Sequence, residues 1–334
     1  MTGKRRILLI ATGGTIASQL SDHGLMPGLD AEQLLSYIPE LQDEYLLEAI
    51  QICNIDSTNM TPENWIGIAD FIRDNYEIYD GFVITHGTDT MSYSVAALSY
   101  LIQNSRKPIV FTGSQKSIYE RDSDARNNLL NAFIFASDDD AFGVRLVFDN
   151  KILIGTRTRK THTKSFNAFE SIDYPSVGIF RDHRIIYYIK EEKPAGDVRF
   201  FSSLNSNIFL LKLIPGLDEK IFGYIRENYD GVVIESFGVG GVPSYPSENY
   251  SREIEKMIRK GITIIMATQV PYEGSDIELY QVGYHLKERF DLLEASTMTL
   301  ETSVVKLMWV LAQTRDKDEI RRLFYTPIDK DILI

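Results

Sequence analysis

Ile7-Leu8-Leu9-Ile10-Ala11-Thr12-Gly13-Gly14-Thr15 is the stretch that decides the fold. Its apolar first half reads as a buried strand, and its second half ends that strand in a glycine turn. Gly81-Phe82-Val83-Ile84-Thr85 and residues 108–112 repeat the pattern. Between the first and second of these runs Thr61-Pro62-Glu63 is a helix start: a hydroxyl N-cap, proline at the first position and an acid near the positive helix end. Trp65, Ile68, Ala69 and Ile72 then recur at helical spacing, as do Val95, Leu98, Leu101 and Ile102 within residues 91–103, and Leu129, Leu130, Phe133 and Ile134 within 124–135. Strand–helix–strand repeats of this length imply a mostly parallel sheet with helices on both faces. A β-rich stretch follows at residues 144–148, 151–154 and 185–189. Glu191-Glu192-Lys193-Pro194-Ala195-Gly196-Asp197 then breaks the periodicity with charge, proline and glycine. A second α/β set covers residues 208–213, 231–235 and 262–267 and closes with helices at 303–313 and 318–323. The expected fold class is α/β with two domains: a larger N-terminal one (residues 1–190), a linker (191–206) and a smaller C-terminal one (207–334).

Composition narrows the function. The 334 residues carry 35 Lys plus Arg against 47 Asp plus Glu, a formal net charge of -12. Such a field repels phosphate backbones and anionic lipid, so neither nucleic acid nor a membrane surface is expected as a partner. The single cysteine, Cys53, excludes an intrachain disulfide and a Cys-rich zinc site. Its neighbours Ala49-Ile50-Gln51-Ile52 alternate like a half-buried strand, so Cys53 reads as a small buried hydrophobe. Lys4-Arg5-Arg6 precedes an apolar run shorter than the roughly 7–15 residues of an export signal. No stretch approaches the roughly 20 apolar residues of a membrane span. The expected location is the cytoplasm.

In open α/β sheets, ligands bind at the loops beyond the carboxyl ends of the strands. Here those loops are Thr12-Gly13-Gly14-Thr15, Asn54-Ile55-Asp56-Ser57-Thr58-Asn59, Thr85-His86-Gly87-Thr88-Asp89-Thr90 and Thr112-Gly113-Ser114-Gln115, all dense in hydroxyls and glycine. None matches a dinucleotide fingerprint, a phosphate loop or the G-x-S-x-G elbow of serine hydrolases. Histidines 23, 86, 162, 183 and 285 offer no i, i+4 pair for a metal, and His86 reads as a structural hydrogen-bonding residue in its turn. No metal and no cofactor are expected. What remains is threonine chemistry, in which a base must help remove the hydroxyl proton. Thr15 reads as a nucleophile or as an N-cap hydroxyl; Thr88-Asp89-Thr90 reads as catalytic or as a capped helix start; Lys160 reads as catalytic or as a solvated lysine among the basic residues 157–164.

Ala11-Thr12-Gly13-Gly14-Thr15-Ile16-Ala17 and residues 81–90 resemble the two signature segments of bacterial-type L-asparaginases. The likeness continues through residues 56–63, Thr112-Gly113-Ser114-Gln115, Arg157-Thr158-Arg159-Lys160, residues 236–241 and Ala267-Thr268-Gln269, and is strongest to the cytoplasmic type I subgroup. The resemblance implies hydrolysis of L-asparagine to L-aspartate and ammonia, with Thr15 as the nucleophile that forms an acyl-enzyme. It implies a second cluster of Thr88, Lys160 and Asp89, in which the lysine assists deprotonation of the threonine. Asp89 also matches the carboxylate that receives the substrate's ammonium. Asp56, Ser57 and Thr58 match the loop that holds its carboxylate, and Ser114 the position whose carbonyl accepts from its amide. The N–H groups of Thr15 and Thr88 match an oxyanion hole. A homodimer or homotetramer is implied as well.

Two positions depart from relatives: Leu25 stands where many carry a flap tyrosine, and Gly241 where some carry an asparagine. Leu25 in a flap flanked by glycine and proline fits a lid that excludes water. Two other functions fit the same scaffold. One is an ammonia-supplying amidotransferase component, which generally carries an extra domain ahead of the first signature. The other is a catalytically weak asparagine sensor, against which the joint presence of Thr15, Thr88, Asp89 and Lys160 weighs.

Overall fold

The computed structural model describes residues 4–21, 24–244, 249–279, 284, 287 and 292–333, with the side chains of 19–21 and 24–27 left out. The chain divides into two compact units after Ser202. The first unit is built on β1 (Arg6–Gly13), a hairpin of β2 (Ser18–Ser21) and β3 (Gly24–Pro27), β4 (Leu46–Ile55) and β5 (Gly81–Thr85). It continues with β6 (Ile102–Gln103), β7 (Pro108–Thr112), β8 (Gly143–Phe148), β9 (Lys151–Ile154), β10 (Thr158–Lys160), β11 (Phe169–Ser171), β12 (Gly178–Arg181), β13 (Arg184–Tyr187) and β14 (Arg199–Phe200). Its helices are α1 (Ala31–Leu35), α2 (Pro62–Asn75), α3 (Met91–Leu101) and α4 (Ala125–Ala136). Eight strands form one sheet in the order β13-β12-β9-β8-β7-β5-β1-β4. The run from β4 to β8 is parallel, and β9, β12 and β13 extend it antiparallel.

The unbroken apolar runs explain this order. Every residue of β5 and β7 is buried, so these strands hold the centre, with cores on both faces. On one face Ile7, Leu9, Val83 and Val110 join Leu129 and Phe133 of α4 in a single apolar cluster. On the other, Phe82 stacks on Tyr76 just beyond α2, with ring centroids 6.2 Å apart. The alternating strand β4 takes the sheet edge, as alternation requires of a strand with one wet side. Cys53 is consequently half-buried there rather than a core residue. Helix α2 starts where expected, with Thr61 and Asn64 capping each other reciprocally.

Two expectations are corrected. The helix expected over 91–103 stops at Leu101, and the chain turns at Asn104 with a positive φ of 58°. Ile102 and Gln103 instead pair antiparallel with Phe200 and Arg199, inside the segment expected to be a bare linker. The Phe200 ring sets edge-on to Tyr76 at 5.4 Å, so burial of that aromatic supports the extra strand pair.

The second unit is a four-stranded parallel sheet, β15 (Ile208–Lys212), β16 (Gly231–Ser236), β17 (Thr263–Thr268) and β18 (Leu293–Glu294), paired in that order. Helices α5 (Lys220–Asn228), α6 (Asn249–Arg259), α7 (Leu300–Gln313) and α8 (Lys317–Tyr325) accompany it. Phe222, Ile225, Val232, Ile234, Ile254 and Met257 share its core. Among the described residues no helix is long and apolar enough to cross a membrane.

Lys306 of α7 and Asp331 are both fully buried, with Nζ donating to Oδ2 at 2.6 Å and to the Thr326 carbonyl at 3.0 Å. Asp331 Oδ1 accepts from the Ile328 and Ile332 N–H groups, each at 2.8 Å, so the pair fastens the segment after α8 onto α7. Breaking such a pair from one side leaves an uncompensated buried charge. Lys306→Met is therefore expected to destabilise the protein by roughly 3–5 kcal/mol in urea unfolding; a loss under about 1 kcal/mol would show that the pair behaves like a surface contact.

Candidate active site

Three of the loops at the carboxyl edge meet at two glycines. Gly14, leaving β1, has φ 87°, and a Cβ there would lie 2.4 Å from the Gly87 amide nitrogen. A Cβ on Gly87 would in turn meet Ser57 Oγ at 2.6 Å. No residue but glycine permits that approach. The loops thereby enclose a cleft of about 90 Å³, lined among others by Thr15, Ser18, Asp56, Ser57, Thr88 and Asp89.

The alternative reading of the two threonines as helix caps does not match the local geometry. Thr15 opens a one-turn 3-10 helix whose N-cap residue is Gly14. The residue in the cap position of α3 is Thr90, and its hydroxyl donates instead to the Ser57 carbonyl at 2.7 Å, tying the second loop to the third. Lys160 is no solvated lysine either. It ends β10, which pairs with β11, and its side chain is only 15% exposed. Its Nζ donates to Thr88 Oγ1 at 2.8 Å and to Asp89 Oδ1 at 2.7 Å.

Thr88 has a second partner that the sequence does not single out. Its hydroxyl donates to Gln115 Oε1 at 3.1 Å, while Gln115 Nε2 donates to the Ser165 carbonyl at 3.1 Å. A carbonyl only accepts, so Ser165 fixes which end of the Gln115 amide faces the threonine. The Thr88 proton thus points at Gln115, and an oxygen lone pair faces the lysine ammonium. Asp124 holds the loop that carries Gln115: its carboxylate accepts from the Gln115 N–H at 3.0 Å, the Lys116 N–H at 3.1 Å and Asn128 Nδ2 at 3.0 Å. Burial nevertheless pushes the Asp124 carboxyl above its usual range. Read locally, Asp124 marks only the start of α4; a partner nine residues back leaves no periodic trace.

His86 is fully buried and answers to the structural role expected of it. Nδ1 lies 2.7 Å from the Gly87 carbonyl and Nε2 lies 2.8 Å from Ser94 Oγ, which accepts from the Trp65 indole N–H at 2.8 Å. The carbonyl needs a donor, so Nδ1 carries the proton and Nε2 accepts from the serine. The ring nitrogens of His86, the Ser94 hydroxyl and the Trp65 indole N–H are all satisfied with the ring neutral. Desolvation pulls the His86 pKa down to about 4.

The remaining expected residues divide. Asp56 and Ser57 face the cleft; Thr58 is exposed and outside its lining, its N–H and hydroxyl donating to Asp56 Oδ1 at 2.8 and 2.9 Å. Ser114 is buried, also outside that lining, with its hydroxyl turned onto the Lys116 carbonyl. The Leu25 side chain, His23 and His285 lie outside the described residues. Among the described residues no group of three His, Cys, Asp or Glu is placed to hold a metal ion.

Residues 6–193 match the family described as asparaginase, N-terminal, and residues 207–324 the glutaminase/asparaginase C-terminal domain. The chain belongs to the asparaginase family. It is 36% identical to the L-asparaginase of Thermococcus kodakarensis, over 98% of this chain and 99% of that one. It is 32% identical to L-asparaginase 1 of Escherichia coli strain K12, over 96% and 95%. One of the subunits of the glutamyl-tRNA(Gln) amidotransferase of Pyrococcus abyssi is 32% identical over 97% of this chain and 76% of its own. The solved structure of the Thermococcus asparaginase superposes with a TM-score of 0.92 at 35% identity, covering 98% of this chain and 99% of that one. L-asparaginase I of Vibrio cholerae gives 0.88 at 28%, over 99% and 100%. These relatives bear out the resemblance to bacterial-type, type I asparaginases and the two-domain α/β fold.

The neutral His86 links the family's second signature to folding. A histidine that stays neutral when folded and takes up a proton near pH 6.5 when unfolded makes the unfolded state the larger proton binder, so stability rises with pH. Its contribution is complete above about pH 6.5 and lost as the pH falls towards 4. Between pH 7 and 4.5, the unfolding free energy of the native protein should drop by about 2 kcal/mol more than that of His86→Asn. Equal pH dependence in the two would place the proton uptake elsewhere.

Proposed function

We propose that the protein hydrolyses L-asparagine to L-aspartate and ammonia, using Thr15 as the nucleophile and its first unit for the chemistry. What carries the reading is the ion-paired cluster of Lys160, Thr88 and Asp89 at the cleft that Thr15 lines. Asp89, with its side chain 60% exposed, receives the substrate's α-ammonium. The Ser57 loop receives the α-carboxylate, and the carbonyl of Ser114 accepts from the amide. Thr15 Oγ1 attacks the amide carbon, and the C–N bond breaks as ammonia leaves with a proton. Water then attacks the ester and releases aspartate.

The charge that develops on the amide oxygen meets the N–H groups of Thr15 and Thr88. Preorganised donors of this kind are worth about 10²–10³ in rate each. Lys160 holds its positive charge 2.8 Å from Thr88 Oγ1, which lowers the cost of drawing the proton off that threonine. The protein works in the cytoplasm as a homodimer or homotetramer. The likeness to the amidotransferase component favours a second reading, in which the ammonia is handed to a partner protein. Free turnover by the isolated chain separates the two.

Purified protein is expected to release ammonia from L-asparagine without added metal. Thr15→Ala should abolish it with the fold intact, and Lys160→Met should lower kcat about 10²–10⁴-fold. Undiminished turnover by Thr15→Ala would remove the assignment.

A further inference from the structure

We propose that Ser18 is a positioning residue for the reaction: its hydroxyl holds the Gly14 carbonyl and so aims the Thr15 N–H into the cleft. This rests on the reading of Thr15 given above. A trans peptide is planar, so the carbonyl of Gly14 and the N–H of Thr15 point in opposite directions, and fixing one fixes the other. The Gly14 carbonyl has two donors, the Ala17 N–H at 3.2 Å and Ser18 Oγ at 2.9 Å. The first is one of two bonds of a three-residue 3-10 turn, the other running from the Ser18 N–H to the Thr15 carbonyl, a geometry that makes poor hydrogen bonds. The second is the shorter, and it comes from a residue only 9% exposed that itself lines the cleft.

Ser18 is anchored in its turn. Its carbonyl accepts from Ser117 Oγ, and two residues earlier the Ile16 carbonyl accepts from the Ile118 N–H at 3.3 Å. Both donors belong to the loop that Asp124 ties together and that also presents Gln115 to Thr88. One loop thus supports the two threonines from behind, and the Ser18 hydroxyl is where that support reaches the Thr15 peptide. The role is separate from substrate binding, since the groups that receive the zwitterion stand on the second and third loops. Removing the hydroxyl leaves the Thr15 N–H in place but loosely held, which weakens stabilisation of the transition state and leaves the ground state alone.

The test is steady-state kinetics of Ser18→Ala and Ser18→Thr on L-asparagine, with Thr15→Ala alongside. Ser18→Ala is expected to lower kcat about tenfold, a fraction of the loss for deleting a donor outright, with KM within about twofold. Ser18→Thr keeps the hydroxyl and suits the extended backbone at this position (φ -88°, ψ 149°), so it should restore kcat to within about twofold. An unchanged kcat in Ser18→Ala, a KM rising in step with the loss, or no recovery in Ser18→Thr overturns the proposal. Should Ser18→Ala not fold, Ser18→Cys, a weaker donor, takes its place with the same criteria. Turnover retained by Thr15→Ala would bring down the reading of the site itself. A dead Thr15→Ala beside a fully active Ser18→Ala would bring down only the role of Ser18.

Discussion

The site depends on how closely two pieces of backbone approach. Gly14 and Gly87 meet where a single added carbon would lie 2.4 Å from a main-chain nitrogen. Neighbouring parallel strands deliver their loops about 4.8 Å apart, a spacing that ordinary side chains would fill. Glycine leaves that space empty of carbon. The hydroxyls that follow, on Thr15 and Thr88, then share one small cleft with the Ser57 loop. The spacing of the sheet is the cause and the cleft its consequence.

A second layer keeps the loops rigid without adding charge where charge would interfere. Trp65, Ser94 and His86 form a buried chain in which each donor has an acceptor and the imidazole stays neutral. A protonated ring at this depth would face a large desolvation cost. It would also put a positive charge beside the Gly87–Thr88 peptide, in competition with Lys160. Asp124 does the converse job with a carboxylate, its oxygens occupied by two main-chain N–H groups and the Asn128 amide. Satisfied networks of this kind specify one arrangement; half-satisfied ones do not.

The parts legible in the sequence are those written in consecutive residues. Unalternating runs such as Gly81-Phe82-Val83-Ile84-Thr85 name the central strands because nothing else buries an apolar segment on both sides. Glycine–hydroxyl loops name the functional edge. What stays hidden involves partners distant in sequence. Gln103 pairs with Arg199 across 96 positions, so neither the end of α3 nor the extent of the linker can be read locally. Asp124 looks like a helix start, and Gln115 stands inside a motif without a role, because neither carries a sign of its spatial neighbours. Ser18 follows the first signature as one more polar residue; only the geometry shows its hydroxyl turned back onto Gly14.

The asymmetry of the cluster at Thr88 connects this architecture to chemistry. Lys160 is 15% exposed and Asp89 60% exposed, so the two halves of one ion pair stand in different surroundings. The lysine, largely out of water, acts on the Thr88 oxygen through a medium that screens little. The carboxylate keeps open oxygen sites towards solvent, where a cationic group on a ligand is free to join it. Reversing the two exposures would leave a buried acid and a wet ammonium, with the positive charge screened at the oxygen that needs it. The placement follows from topology: Lys160 comes from a short strand paired with β11, whereas Asp89 stands at the open mouth of the loop after β5. A lysine supplied from the Asp89 loop itself would share that loop's exposure, which is a physical reason for bringing the cation in from a distant strand.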